Sequence, residues 1–219
     1  MTWKRARTPQ QISERRQAII EAAGQLFAVH EYHEVTFMAI ALRAGIAKSN
    51  IYRYFESKEA IFVHIFLSEL DDWARLLRQH VAGVAPGDVT GFAAAMVQSA
   101  VAVPRFLELQ ALLAGVLERN LSVELAVSFK KDLMARLDGI VCACEPVFPG
   151  LPSSRRMQLF MLMHALVAGL YPAQAVSQRL TPHLAGAGVQ YPAEDFPTTL
   201  QTALELLLHG MLKEETHAR

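Results

Sequence analysis

Apolar residues recur along the chain at the three- and four-residue spacing of amphipathic α-helices, and no segment sustains the two-residue alternation of a half-buried strand. The pattern therefore predicts an all-α fold of about nine helices. One of these is opened by Asp88, and the others cover about 11–29, 37–44, 48–54, 58–81, 104–119, 122–145, 154–171 and 194–213. Residues 172–193 follow no clear period and contain Pro, Gly and Ser, so they are predicted to form an irregular connection.

Residues 36–59, TFMAIALRAGIAKSNIYRYFESKE, have the spacing of a helix-turn-helix. Thr36 can cap the first short helix, and the small side chain of Ala41 lets the second helix approach closely. Gly45 ends the first helix where a left-handed φ is cheap only for glycine.

The second helix of this segment has an apolar and a polar side. Ile51 and Phe55 face inward at a spacing of four residues, whereas Ser49 and Arg53 point most directly outward. Such an outward face suits the major groove of DNA, where Asn and Arg read base edges and Tyr and Lys hold phosphates. On these residues alone, a small helical hairpin inside an ordinary bundle remains the alternative.

The segment resembles the DNA-binding region of TetR-type transcriptional regulators. Residues in register with that family's pattern are Ala41, Ala44, Gly45, Ile46, Ile51, Tyr52, Tyr54, Phe55, Lys58 and Glu59. The likeness covers about residues 15–60, while the remainder resembles the family only in being helical and of the right length. Three departures are Glu31 in place of a helix-closing glycine, Ala47 in place of a capping Ser or Thr, and Ser49 in place of a common glycine. Glu31 would be strained if its φ were positive.

The resemblance implies residue roles on DNA. Candidates for base contacts are Lys48, Ser49, Asn50 and Arg53, and those for the DNA backbone are Tyr52, Tyr54 and Lys58, with Thr36 at the start of the preceding helix. The basic arm formed by Lys4, Arg5 and Arg7 would follow the backbone or enter a minor groove, with a solvated terminus as the alternative.

The resemblance also divides the chain into a DNA-binding domain at 1–57 and an effector-binding and dimerisation domain at 58–219. A single recognition helix reads too few base pairs for useful specificity, so a homodimer on a palindromic operator is expected. Helices 154–171 and 194–213 are the expected interface, because the first is apolar nearly all round and the second has a leucine stripe. Purely intrachain packing is the alternative for these surfaces.

An unknown small apolar effector is expected to release the DNA from the protein. The candidate pocket residues are polar or aromatic groups in apolar helices, namely His64, Trp73, Arg105, Glu108 and His164. A satisfied core residue is the alternative, and for His164 it is the favoured interpretation.

Composition and charge set limits on the function. The chain has 219 residues, of which 52% are hydrophobic, and this excludes a disordered protein. The formal net charge of zero combines +3 in residues 1–60 with −3 in residues 61–219, so a DNA-binding surface is expected at the N-terminal end. We expect a cytoplasmic protein with no signal peptide, no membrane span, no cofactor, no metal and no catalytic residue.

Two further hypotheses stay open. One is a DNA-binding factor on the same fold that works without an effector, as a nucleoid or division-linked protein. The other is an enzyme that uses Cys142, Cys144 and a histidine as a thiol or metal centre, although the sequence offers no paired base and no phosphate loop beside them.

Overall fold

The computed structural model describes residues 8–190 and 195–217, and within these ranges it contains nine α-helices and no strand. The all-α prediction is confirmed. The helices are α1 Pro9–Phe27, α2 Phe37–Arg43, α3 Lys48–Ile51, α4 Lys58–Val81, α5 Val89–Val101, α6 Pro104–Leu112, α7 Val123–Ala143, α8 Ser153–Gly186 and α9 Phe196–His217.

The chain packs as two compact units. The N-terminal unit holds the described residues up to Ser68 together with Leu113–Lys130, and the C-terminal unit holds Glu69–Leu112 with the described residues from Lys131 onward. Both units are therefore discontinuous in sequence. This grouping describes packing, whereas the functional division after residue 57 stays a prediction.

The N-terminal unit is built on the apolar stripe of α1, where Ile19, Ala22, Ala23 and Phe27 are buried. Thr8 begins the helix with a capping box, since its hydroxyl accepts from the Gln11 N–H and the Gln11 side chain accepts from the Thr8 N–H. Helix α1 packs on α2, and α2 on α3.

The C-terminal unit packs α5 on α9, α6 on α8, and α8 on α9. The predicted stripe of α9 is buried, with Leu200, Leu204 and Leu208 fully enclosed and Met211 nearly so. Trp73 of α4 lies at the centre of the unit and is 2% exposed.

The predicted irregular connection at 172–193 is wrong over most of its length. Helix α8 continues through Pro172 and Pro182 to Gly186, so the interface helix predicted at 154–171 is much longer than expected. An internal proline costs about 3 kcal/mol because it removes one N–H donor and crowds the preceding turn. The residues around the two prolines are mainly Ala, Gln, Leu and Arg, which favour helix, and α8 continues through both positions despite that local cost.

The true end of α8 is made by Gly188, which has a φ of 73°. The N–H of Val189 donates to the carbonyl of Leu184 at 2.9 Å, and that of Gly188 donates to Ala185 at 3.1 Å. These bonds satisfy carbonyls of the last helical turn. Glycine with a left-handed backbone, rather than proline, therefore ends this helix.

The predicted helix at 104–119 is regular only as far as Leu112. A π-helical turn follows at Leu113–Leu117, and a short 3-10 turn at Glu118–Asn120 completes the segment. The side-chain amide of Asn120 donates to the Val116 carbonyl at 2.7 Å and closes this end. The last helix also differs from its prediction, since it begins at Phe196 and reaches His217.

Helix α8 is also long and apolar enough, by length and composition alone, to cross a membrane. Core helices of soluble proteins pass the same test, and α8 packs along both α6 and α9. Its length therefore does not indicate a membrane protein.

Candidate nucleic-acid interface

The turn between α2 and α3 has the predicted geometry. The Thr36 hydroxyl accepts from the Ala39 N–H at 3.1 Å and caps α2, as expected. Gly45 has a φ of 67°, and the next N–H, that of Ile46, donates to the Ala41 carbonyl at 2.9 Å. Glycine is required here because the left-handed conformation strains any residue with a Cβ. The turn thereby sets the direction in which α3 leaves α2.

The recognition helix is shorter than the predicted 48–54. Helix α3 spans Lys48–Ile51, and residues 52–54 continue as turns in which the N–H groups of Arg53 and Tyr54 donate to carbonyls three residues back. Ala47 occupies the N-cap and provides no side-chain hydrogen bond. At the other end, the carbonyl of Tyr54 accepts from Arg16 instead of continuing a helical ladder. The uncapped start at Ala47 and the Arg16 bond to Tyr54 are therefore both consistent with a short recognition helix.

One face of this segment is polar and exposed. We call it the reading surface, and it comprises Lys48, Ser49, Asn50, Tyr52 and Arg53, all of which are exposed. Beneath it, Ile51 is fully buried and Phe55 is 3% exposed. The predicted division into an inward and an outward side is thus present in the structure.

Two tyrosines, Tyr52 within the reading surface and Tyr54 next to it, are held by neighbouring residues. The Tyr52 ring, in a residue that is 57% exposed, meets Phe37 edge-on at 4.9 Å between centroids. The backbone of Tyr54 is anchored because its carbonyl accepts a hydrogen bond from Arg16. The residue is half-buried, so part of it reaches solvent. The contact between Phe37 and Tyr52 was not predicted from the sequence, although the aromatic residue directly after the Thr36 cap was visible there.

Arg16 is the main residue that sequence reasoning missed. Its guanidinium donates to the Tyr54 carbonyl, lies 4.3 Å from the centroid of the Phe55 ring, and lies 3.4 Å from Nε2 of His64. It therefore connects α1 to the end of residues 48–54, which carry the reading surface and which we call the reading segment. Sequence analysis counted Arg16 only as part of the basic N-terminal end, because nothing in its local pattern reveals a partner 38 residues away.

Lys58, at the start of α4, is also engaged within the N-terminal unit. Its ammonium donates to the Tyr32 carbonyl at 2.8 Å and lies 3.8 Å from the centroid of the Tyr32 ring. The Tyr32 hydroxyl in turn donates to Glu59 at 2.7 Å. Burial lowers the pKa of Lys58, while burial and the Glu59 bond raise the pKa of Tyr32 above its usual range.

Two expectations about the N-terminal region have different outcomes. Glu31 has no positive φ, so the strain anticipated for a non-glycine residue is absent, and its N–H donates to Glu34 at 3.0 Å. Lys4, Arg5 and Arg7 lie outside the described residues, and their role stays a prediction.

The five candidate pocket residues do not form one group. His64 belongs to the N-terminal unit, where it meets the Phe55 ring edge-on at 5.8 Å. In the C-terminal unit, the Trp73 indole N–H donates to Ser99 at 3.1 Å, and Arg105 forms an ion pair of 2.7 Å with the buried Glu69. Most of these candidates thus have partners within their own unit.

Glu108 and His164 are the remaining candidates, and both are half-buried in the C-terminal unit. The charge of Glu108 adds to burial in raising the pKa of Tyr171, a half-buried residue of α8. Tyr171 itself meets Phe196 edge-on at 5.3 Å. Two acidic residues of this unit, Glu69 and Glu108, thus lie close to Arg105 and Tyr171 respectively.

Replacing Glu69 with glutamine is expected to raise the free energy of unfolding at neutral pH. Burial raises the pKa of Glu69 despite the opposing effect of Arg105, so the folded protein holds this proton more tightly than the unfolded chain. Stability is then lost as the pH rises through the folded pKa. Glutamine keeps an acceptor for Arg105 and does not ionise.

Urea unfolding at two pH values checks this expectation. The gain should be present at about pH 7 and absent at about pH 3, more than one unit below the ordinary glutamate pKa, where wild-type Glu69 is protonated in both states. A variant less stable than the wild type at neutral pH would show that the ion pair outweighs the burial cost.

The thiol chemistry considered from the sequence finds little support. Cys142 is exposed and Cys144 is buried, and neither forms a disulfide. Burial raises the pKa of the Cys144 thiol to about 12, which keeps it protonated and unreactive. Among the described residues, no group of three His, Cys, Asp or Glu side chains could hold a metal ion.

Comparison with known proteins covers both units. Residues 19–65 match the family model "Bacterial regulatory proteins, tetR family", and residues 67–215 match "Tetracyclin repressor-like, C-terminal domain". The transcriptional regulator RutR of Escherichia coli is 34% identical over 85 residues, which is 39% of this chain and 39% of that protein. A fatty acid metabolism regulator of Bacillus subtilis is 32% identical over 63 residues, or 29% of this chain and 32% of that protein. The curated relatives are therefore matched over about two fifths of their length or less.

Solved structures share the fold. A TetR transcriptional regulator from Rhodococcus sp. RHA1 is 22% identical, covers 91% of this chain and 97% of its own, and has a TM-score of 0.54. The fatty acid degradation regulator FadR from Bacillus halodurans is 19% identical, with 94% and 98% coverage and a TM-score of 0.53. Because the two family models match the helix-turn-helix region and most of the helical remainder, the chain belongs to the TetR family of bacterial transcriptional regulators.

Proposed function

We propose that this protein is a homodimeric, ligand-responsive repressor that binds a palindromic operator through the reading surface. The observation that carries this proposal is the exposed row from Lys48 to Arg53, set on a buried Ile51 and aimed by the Gly45 turn. Exposed Asn and Arg side chains on a short rigid segment are suited to base edges in a major groove. The protein would then act in the cytoplasm, where its operator lies, and not as an enzyme.

We assign the roles on DNA by side-chain chemistry and exposure. Lys48, Ser49, Asn50 and Arg53 would contact bases, while the hydroxyls of Tyr52, Tyr54 and Thr36 would bind the phosphate backbone, with the basic arm at Lys4, Arg5 and Arg7 adding charge. Lys58 is left out of this set because its ammonium is engaged inside the N-terminal unit. Phosphate contacts fix the register of the protein, and base contacts supply the sequence preference.

Two copies would pair through α8 and α9. These helices pack on each other, and their outer sides carry exposed apolar residues, including Met161 at 53% and Leu206 at 70% exposure. A solvent-exposed leucine and methionine on adjacent long helices fit an isologous interface between two copies. Dimerisation places two reading surfaces on two half-sites, which gives useful specificity.

A small apolar effector would act through the C-terminal unit, whose helices contribute Trp, Phe, Met and Leu side chains. An effector shifts the population away from the DNA-binding state only if it binds the two states with different affinity. The regulators of fatty acid metabolism among the relatives make long-chain fatty acids a suitable first probe. A compound that raises the melting temperature should also release bound DNA.

The function is tested by measuring binding of the purified protein to its own upstream DNA as salt rises from about 50 to about 200 mM. With six to ten phosphate contacts, affinity should fall by about 10³–10⁵ over this range. The bound complex should contain two chains per operator. A protein that binds no DNA at the lowest salt would contradict the proposal.

A further inference from the structure

The N-terminal unit contains two cations, Arg16 and Lys58, whose charged groups are used in the same way. Each donates a hydrogen bond to a backbone carbonyl, of Tyr54 and of Tyr32 respectively. Each also lies over an aromatic ring, with Arg16 at 4.3 Å from the Phe55 centroid and Lys58 at 3.8 Å from the Tyr32 centroid. Arrangements of this kind are worth more in partly buried sites, where water competes less.

The two carbonyls are informative because neither lies within a helix. Tyr54 ends the turn that follows α3, and Tyr32 lies in the connection between α1 and α2. Non-helical carbonyls have no partner in a regular ladder and must find a donor elsewhere. Arg16 supplies that donor from α1, and Lys58 supplies it from the first residue of α4.

The two cations thus bracket the reading segment. Arg16 fixes its end, directly after Arg53, and Phe55 beneath the guanidinium is buried. Lys58 connects the start of α4 to the residues that precede α2, and its neighbour Glu59 accepts from the Tyr32 hydroxyl at 2.7 Å. Moving either cation to a phosphate would leave a carbonyl and a ring face without their partner.

We propose that Arg16 and Lys58 are positioning residues for DNA recognition, holding the reading segment in place by internal contacts instead of neutralising phosphates. This inference rests on the proposed DNA-binding function. It assigns a role to Arg16, and it gives Lys58 a different role from the phosphate contact implied by family resemblance. The charge presented to DNA by the reading surface then comes from Lys48 and Arg53.

The dependence of operator affinity on salt separates the two roles. A cation that neutralises a phosphate contributes about 0.9 to the slope of log affinity against log salt concentration, whereas a positioning residue contributes nothing to that slope. Arg16→Met and Lys58→Met should therefore lower affinity by about tenfold or more while keeping the wild-type slope. Lys48→Met is the control, because Lys48 is an exposed cation of the reading surface whose charge lies beside the DNA whether it contacts a base or a phosphate. Its slope should fall by up to about two, since the bound dimer loses two cations.

Arg16→Lys provides a second measurement, which remains informative even if the uncharged variants Arg16→Met and Lys58→Met fail to fold. It keeps the charge but loses the planar group that both donates to Tyr54 and stacks on Phe55. Positioning predicts reduced affinity at an unchanged slope, whereas a phosphate role predicts nearly wild-type affinity.

The inference is overturned if Arg16→Met or Lys58→Met lowers the slope by about two, as the loss of one phosphate contact from each chain of the dimer would, or if these variants bind the operator as tightly as the wild type. Failure of the proposed function has a different signature, because the wild type and Lys48→Met would then also fail to bind DNA at low salt. The same titration thus distinguishes the two.

Discussion

Replacing Trp73 with alanine is expected to destabilise the protein by about 3–5 kcal/mol, a large part of the 5–15 kcal/mol typical of a folded domain. Trp73 is 2% exposed, stacks on Phe106 with ring centroids 4.9 Å apart, and meets Phe160 edge-on at 6.1 Å. Alanine would leave a cavity between α4, α6 and α8, which the surrounding helices can close only in part. Urea unfolding followed by circular dichroism measures the loss.

Trp73→Phe and Ser99→Ala are the controls for this expectation. The Trp73 indole N–H donates to the Ser99 hydroxyl, which itself donates to the Met96 carbonyl at 2.9 Å. Phenylalanine keeps a ring but removes the first bond, so its cost should be clearly smaller, with about 1 kcal/mol from the hydrogen bond. If Trp73→Ala lies within about 1 kcal/mol of the wild type, Trp73 lines a space that is already open, as an effector pocket would be.

Replacing Arg53 with alanine is expected to relax base preference at one position of each half-site. Arg53 is exposed at the end of the reading surface, and a well-placed arginine contributes about 1–3 kcal/mol of discrimination between bases. The measurement compares the affinities of wild type and variant for the operator and for single-base-pair changes of it. Asn50→Ala should behave in the same manner at a different position.

Tyr52→Phe is the matched comparison for Arg53→Ala. It removes only the hydroxyl and keeps the ring that packs against Phe37, so affinity for all sequences should fall alike. If Arg53→Ala instead weakens every sequence equally, Arg53 contacts the backbone. If Tyr52→Phe leaves affinity unchanged, the hydroxyl has no part in binding.

Local signals in the sequence were sufficient for most of the helices and for the turn of the helix-turn-helix. The Thr36 cap, the left-handed Gly45 and the buried Ile51 each depend on residues only a few positions apart, and each is present in the structure. The α9 stripe is also present, but Leu200, Leu204 and Leu208 are fully buried within the single chain, so the intrachain alternative, and not the expected interface, applies to these leucines. Short-range periodicity and capping were reliable because the physics behind them is short-ranged.

The local rule that a proline ends a helix gave a wrong prediction for α8. The helix predicted at 154–171 stops just before Pro172, but α8 passes through Pro172 and Pro182 and ends at Gly186, followed by the left-handed Gly188. The cost of a proline is local, whereas the outcome depends on the whole helix and what it packs against. The residues near each proline therefore did not reveal the length of α8. That length also sets the extent of the surface that the proposed dimer would use.

The sequence by itself determined the all-α class, the position of the helix-turn-helix and the identity of the residues on the reading surface. Only the tertiary structure decided which cations of the N-terminal unit have internal partners. Charge counting treated Arg16 and Lys58 as part of the basic N-terminal end, yet the fold directs both inward, to Tyr54 and Tyr32, which are 38 and 26 residues away. The physical reason is that a charge is a property of a residue, whereas its partner is set by contacts between distant parts of the chain.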